Sequence, residues 1–216
     1  MIDGIRLKIC GLTTRADAET AADLGADFLG FNFYLKSPRS LTLKAYQGLG
    51  IRLPEARKVA VMVEPTLEEL AGAESAGFDF FQVHLRHDLP ASTVAGWREV
   101  VGADCLWLAP RLPPAVDVTA PLLTLAGTFL LDTFDPGKFG GTGKTGDWGK
   151  FARHQRSHPE KTWILSGGLN AENIGEALHQ SGAQFVDVNS GIESAPGVKD
   201  PAKLQCFADR LRESRT

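Results

Sequence analysis

The sequence has too few cysteines, set too far apart, for a disulfide framework. Cys10, Cys105 and Cys206 are odd in number and form no CxxC pair, which points to reduced thiols in a cytoplasmic protein. An excess of charge of either sign is also missing: 23 basic and 26 acidic residues leave a formal net charge of −3. No basic block offers a nucleic-acid surface, and no polybasic amphipathic stretch offers a membrane surface. No apolar run approaches the ~18 residues that a membrane span needs. The N-terminus has no charged segment followed by an apolar one, so nothing there reads as a secretory leader. Linkers rich in Pro, Gly or Ser, low-complexity tracts and short repeats are absent as well. The expectation is a single domain over residues 1–216, long enough to bury a substantial core.

What is present is an alternation. Short apolar runs that read as strands cover residues 6–10, 28–33, 58–63, 80–84, 106–109, 128–133, 162–166 and 185–189. Helical patterns fall between them, over 13–24, 42–49, 66–76, 90–100, 115–125, 147–155 and 170–180, with a last helix opened by Asp200-Pro201. Pro110 is expected to end the fifth strand and Pro121 to interrupt the fifth helix, while Asn170 is expected to cap the seventh. Strands alternating with helices imply parallel strands joined by right-handed crossovers. Eight such units predict an α/β protein with a (β/α)8 TIM-barrel architecture, with an open doubly wound sheet as the alternative. Two features favour the barrel. Lys8, Gln82 and Asp187 interrupt apolar strands, as inward-facing barrel positions can, and polar or Gly-rich residues gather after the strands.

Candidate chemistry follows from those strand ends. Cys10 closes the first strand, with Lys8 two residues back on the same face, an arrangement that favours a thiolate. Asp132 closes the sixth strand and could work with the thiol as an acid/base pair. Arg39, after the second strand, is a candidate holder of a substrate carboxylate. Ser166-Gly167-Gly168 and Asn189-Ser190-Gly191 follow strands seven and eight, where barrels commonly bind phosphate. Residues 139–145 contain Gly143-Lys144-Thr145 but are no nucleotide-hydrolase loop: the GxxxxGK[ST] pattern needs glycine five residues before Gly143, where Lys138 stands. That loop is read either as a flexible connection or as a mobile cover over a site. Lys8 and Asp187 become neighbours if strand eight closes on strand one, so a buried ion pair beneath Cys10 is expected.

These stretches together resemble the phosphoribosylanthranilate isomerase family. The likeness rests on Lys8-Ile9-Cys10-Gly11, on Gly30 to Tyr34 with Ser37-Pro38-Arg39, and on Gln82-Val83-His84. It continues through Leu131-Asp132-Thr133, Gly140 to Thr145 with Asp147-Trp148, and Leu165 to Leu169. It closes with Val186 to Glu193, Pro196-Gly197 and Lys199-Asp200. The resemblance implies an Amadori rearrangement of N-(5-phosphoribosyl)anthranilate to 1-(o-carboxyphenylamino)-1-deoxyribulose 5-phosphate, in tryptophan biosynthesis. It implies Cys10 as general base and Asp132 as general acid. It also implies substrate contacts from Arg39, His84, Gly168, Asp187, Asn189, Ser190 and Gly191. No metal or organic cofactor is implied, the only partner is the small-molecule substrate, and a monomer is expected. Three departures from the family pattern stand out: Leu85 after His84, Asn189 before Ser190-Gly191, and the segment 110–114. Two other readings are a bifunctional sugar-phosphate isomerase that also serves histidine biosynthesis, and a barrel that only binds a phosphorylated ligand. The first would need a second Gly-rich phosphate loop in the N-terminal half, which is missing.

Overall fold

Inward and outward side chains alternate along every strand, and that period of two organises the whole molecule. The computed structural model describes residues 1–50, 56–134 and 145–214. Its strands are β1 (Arg6–Ile9), β2 (Phe28–Asn32), β3 (Arg57–Val63), β4 (Phe80–Arg86), β5 (Leu106–Arg111), β6 (Thr128–Leu131), β7 (Thr162–Leu165) and β8 (Phe185–Val188). They pair parallel in sequence order, and β8 returns to β1, closing the (β/α)8 barrel. The crossover helices are α1 (Arg15–Asp23), α2 (Leu43–Gly48), α3 (Leu67–Ser75), α4 (Ala91–Val101), α5 (Ala120–Leu125), α6 (Trp148–Ser157), α7 (Ile174–Ser181) and α8 (Pro201–Glu213).

Local chemistry sets the helix starts. Thr14, Thr42, Thr66, Asp147 and Asp200 each accept a backbone N–H from the first turn of the helix they precede, satisfying donors that would otherwise lack partners. Thr66 and Glu69 form a reciprocal capping box. Residues of one strand parity, such as Leu7, Ile9, Leu29 and Phe31, pack against the helices. The other parity fills the barrel with Phe28, Val59, Val61, Trp107, Leu130, Ile164 and Phe185. Phe28 anchors this inner core, with ring centroids 5.0 Å from Phe185 and 5.1 Å from Trp107. Lys8, Gln82 and Asp187 share that inward parity and are buried. Cys10, His84, Asp132, Ser166 and Asn189 continue it beyond the apolar layer, toward the carboxyl-end mouth.

Three local expectations are corrected. β5 runs on through Pro110 to Arg111, because β4 keeps pairing there while the pairing to β6 stops at Leu108; a proline with one free side costs no ladder bond. Pro121 stands in the first turn of α5 and starts it. Asn170 does not cap α7. Its Oδ1 accepts the N–H groups of Glu172 and Asn173, folding a turn ahead of the helix, and α7 begins after Asn173. An element absent from the sequence reading follows β8: a 3-10 turn (Ser190–Ile192) leads into the antiparallel pair β9 (Glu193–Ala195) and β10 (Val198–Lys199). Of the loop read as a cover, residues 139–144 lie outside the described residues.

Candidate active site

The β1–β8 seam carries the first half of the site. In the parallel register Lys8 stands opposite Asp187, and Lys8 Nζ donates to Asp187 Oδ1 at 2.8 Å with its side chain wholly buried. The expected buried ion pair is therefore present. Ser166 Oγ approaches the other carboxylate oxygen at 3.4 Å. The Lys8 ammonium also reaches the Cys10 thiol. Both crowd Gly30: a Cβ there would lie 3.0 Å from Lys8 Nζ and 3.1 Å from Cys10 Sγ. Burial dominates the ionisation of Cys10. It pushes the thiol above its ordinary range, Asp187 adds to the push, and Lys8 and Lys199 oppose it without winning. The expectation that Lys8 yields a lowered thiol pKa is corrected in that sense. Lys8 itself stays an ammonium, because Asp187 and Cys10 outweigh its desolvation.

Asp132 lies past the end of β6, with its Oδ1 accepting the Thr133 N–H at 2.7 Å. Burial pushes its carboxyl up to about 6, with the Thr133 hydrogen bond opposing and the Asp187 charge adding. A cavity of about 200 Å³ opens beside it, lined in part by Pro110, Leu112, Leu131, Phe134 and Ser166. The unusual segment after β5 forms one wall of that cavity. Lys150 of α6 holds it, donating to the carbonyls of Pro113 at 2.8 Å and Val116 at 2.5 Å.

Arg39 is no solvated surface arginine. It is 8 % exposed, and its Nε and Nη2 both donate to Glu193, at 2.8 and 2.6 Å. Lys199 Nζ donates to Glu193 Oε1 at 3.0 Å and to Asn189 Oδ1 at 2.9 Å. Glu193 and Lys199 escaped the sequence reading as site residues, since they follow the last barrel strand and show no periodicity that marks them as buried. The signal was there in a weaker form, as charged residues inside the matched C-terminal stretch.

His84 faces the mouth from β4. Gln82 Nε2 donates to its Nε2 at 2.9 Å, leaving the imidazole proton on Nδ1. Burial and the Lys8 charge lower His84 to about 4, so the ring is neutral near pH 7. The glycine turns after β7 and β8 touch each other: a Cβ on Gly191 would overlap the Leu169 carbonyl oxygen. This brings Gly168, Ser190 and Gly191 to one edge of the mouth. Asn189 departs from that group, its amide packing over Gly11 beside Arg39. Among the described residues, no three His, Cys, Asp or Glu side chains converge as metal ligands, and no helix is long and apolar enough to cross a membrane.

Known proteins resemble this chain in sequence and in fold. The family model described as "N-(5'phosphoribosyl)anthranilate (PRA) isomerase" matches residues 7–210. An N-(5'-phosphoribosyl)anthranilate isomerase of Zymomonas mobilis is 37 % identical over 212 residues, covering 96 % of this chain and 98 % of that one. The crystal structure of the Thermus thermophilus phosphoribosyl anthranilate isomerase superposes with a TM-score of 0.80 at 30 % identity, over 98 % of this chain and 100 % of that one. A phosphoribosyl anthranilate isomerase in complex with reduced 1-(o-carboxyphenylamino)-1-deoxyribulose 5-phosphate superposes with a TM-score of 0.78 at 28 % identity, over 97 % of this chain and 99 % of that one.

Proposed function

The chain belongs to the N-(5'-phosphoribosyl)anthranilate isomerase family and carries out that isomerisation in tryptophan biosynthesis; from this premise we propose that Cys10 is its general base and Asp132 its general acid. The observation that carries the assignment is that both groups stand at the carboxyl end of one barrel, directly after β1 and β6, with ionisation shifted by burial. Active sites of such barrels lie at this face.

The chemistry follows. Asp132 donates its proton to the ring oxygen of the ribosyl group as the bond from that oxygen to C1 breaks. The anilino nitrogen pushes its lone pair into a C1=N bond, giving an open-chain Schiff base. That electron sink acidifies the C2 hydrogen. Cys10, as thiolate, removes it, and the C2 electrons move to form C1=C2 while nitrogen recovers its pair. The enolamine then moves a proton from its C2 hydroxyl to C1, yielding the ketose. A carboxyl raised to about 6 keeps a usable protonated fraction near neutrality. The Cys10 thiol is harder to ionise than a free thiol, and the Lys8 and Lys199 ammonium groups favour the thiolate it must become.

The remaining roles rest on position. Gly168, Ser190 and Gly191 bind the phosphate through exposed backbone N–H groups. Arg39 meets the carboxylate of the aromatic ring. His84 and Asp187 face the ribose from β4 and β8. The enzyme works as a cytoplasmic monomer without metal or organic cofactor. The deciding experiment is turnover of N-(5-phosphoribosyl)anthranilate by the purified protein: consumption of substrate supports the reading, and no consumption ends it. Turnover of the two-phosphate histidine-pathway substrate instead would favour the bifunctional alternative.

A further inference from the structure

We propose that Asn189 is a second recognition residue for the ligand's carboxylate, acting beside Arg39, and that Glu193 and Lys199 are the residues that aim this pair. The proposal rests on the reading above that Arg39 meets the carboxylate.

Glu193 sets what Arg39 is free to do. A bidentate guanidinium–carboxylate pair fixes the plane of the guanidinium. Glu193 holds Nε and Nη2 in this way, which leaves Nη1 with no protein partner among the described residues. The Arg39 side chain is also nine-tenths buried. Its donor is thus prealigned, and no reorganisation of a long side chain accompanies binding.

Lys199 does the same for Asn189. Its buried ammonium donates to Asn189 Oδ1 at 2.9 Å and to the Asn189 carbonyl at 3.2 Å. An ammonium has only donors, so the amide oxygen must face it and the amide nitrogen must face away. Nδ2 then has two hydrogens and no protein partner among the described residues.

The side chains that carry the two donors close over Gly11, directly after Cys10. A Cβ on Gly11 would lie 2.7 Å from Arg39 Cδ, 2.5 Å from Asn189 Oδ1 and 3.0 Å from Asn189 Nδ2. Only glycine, here at φ +71°, lets both side chains close over the backbone. The charges agree with an anionic guest. Arg39 and Lys199 are two positive charges around the single negative charge of Glu193, so the cluster keeps one positive charge unmatched. Fixed donors with a net positive charge beside the base suit a carboxylate held next to the reacting carbon.

The test compares binding of reduced 1-(o-carboxyphenylamino)-1-deoxyribulose 5-phosphate with binding of the same compound lacking the carboxyl group. Asn189→Leu removes the amide at similar size. It should weaken the carboxylated compound about 10- to 100-fold, the range for a hydrogen bond to a charged group, and leave the other compound unchanged. Glu193→Gln should raise KM for the natural substrate with kcat retained, since it acts through Arg39, whereas Lys199→Met should raise KM through Asn189 and also lower kcat, because its ammonium helps Cys10 ionise. Equal weakening of both compounds by Asn189→Leu, or none of either, overturns the proposal. Lys199→Met removes a buried charge and is checked by thermal melting. If it fails to fold, Asn189→Leu, at a partly exposed position, carries the test alone. Wild-type protein that binds neither compound would instead refute the functional reading itself.

Discussion

Lys8 Nζ and Asp187 Oδ1 lie 2.8 Å apart across the β1–β8 seam, inside a barrel filled mainly by apolar side chains. Such a pair adds little net stability over a well-packed apolar pair, because desolvating both ions offsets their attraction. Its consequence is local. It sets a positive charge within reach of the Cys10 thiol and a negative charge that acts on both Cys10 and Asp132.

Breaking the pair should therefore be visible twice. Lys8→Met leaves Asp187 buried and unpaired and should destabilise the fold by about 3–5 kcal/mol, read by chemical denaturation. It should also shift the pH dependence of Cys10 alkylation upward, since Asp187 then acts on the thiol with only Lys199 opposing it. An unchanged alkylation profile in a folded variant would contradict the electrostatic role. Lys8→Met combined with Asp187→Leu should recover most of the lost stability.

Replacing either proton-transfer group should cost rate more than affinity. Cys10→Ser and Asp132→Asn are each expected to lower kcat by ~10²–10⁴ with KM little changed, the usual loss for general acid–base help. A variant that keeps wild-type kcat removes that residue from its role.

The pH profile should carry both raised pKa values. The working form needs Asp132 protonated and Cys10 ionised, the reverse of the dominant form between about 6 and the raised thiol pKa. The working fraction grows with pH up to about 6, stays level, and declines only above the thiol pKa. Plotted against pH, kcat/KM should follow that shape at reduced height. In Asp132→Asn the break near 6 should vanish, and residual activity should climb until the thiol ionises.

The same carboxyl should weaken the fold at neutral pH. Its pKa rises from 3.8 to about 6 on folding, so the folded state holds the proton more tightly than the unfolded chain. Its contribution is fully present below 3.8 and is lost as pH rises through about 6. Asp132→Asn mimics the protonated state and should be more stable than wild type at pH 7. The gain is below about 3 kcal/mol, because the carboxyl is partly solvated, and it should disappear below pH ~4. Melting curves at both pH values provide the comparison, and a gain that persists in acid would point to another cause.

The frame of the site is legible in the chain itself. Strand parity places Lys8, Cys10, Asp187 and Asn189 on inward faces, and a closed eight-strand order makes Lys8 and Asp187 neighbours. Alternation of residue types is a local property, so it survives without knowledge of any contact. Cap residues were equally local, as at Thr14, Asp147 and Asp200. Asn170 failed because an Asx turn and a helix cap use the same side-chain chemistry, and only the backbone that follows decides between them.

The sequence by itself determined the strand–helix order, the inward faces, and which residues end the strands at the mouth. The tertiary structure alone decided what those residues have as partners. Arg39 and Glu193 are 154 residues apart and meet because the hairpin after β8 folds back over the β2–α2 connection. The raised carboxyl of Asp132 and the raised thiol of Cys10 also belong to the folded state. Pairing between distant side chains and loss of solvent depend on where the closed barrel puts each group, and no periodicity along the chain encodes them.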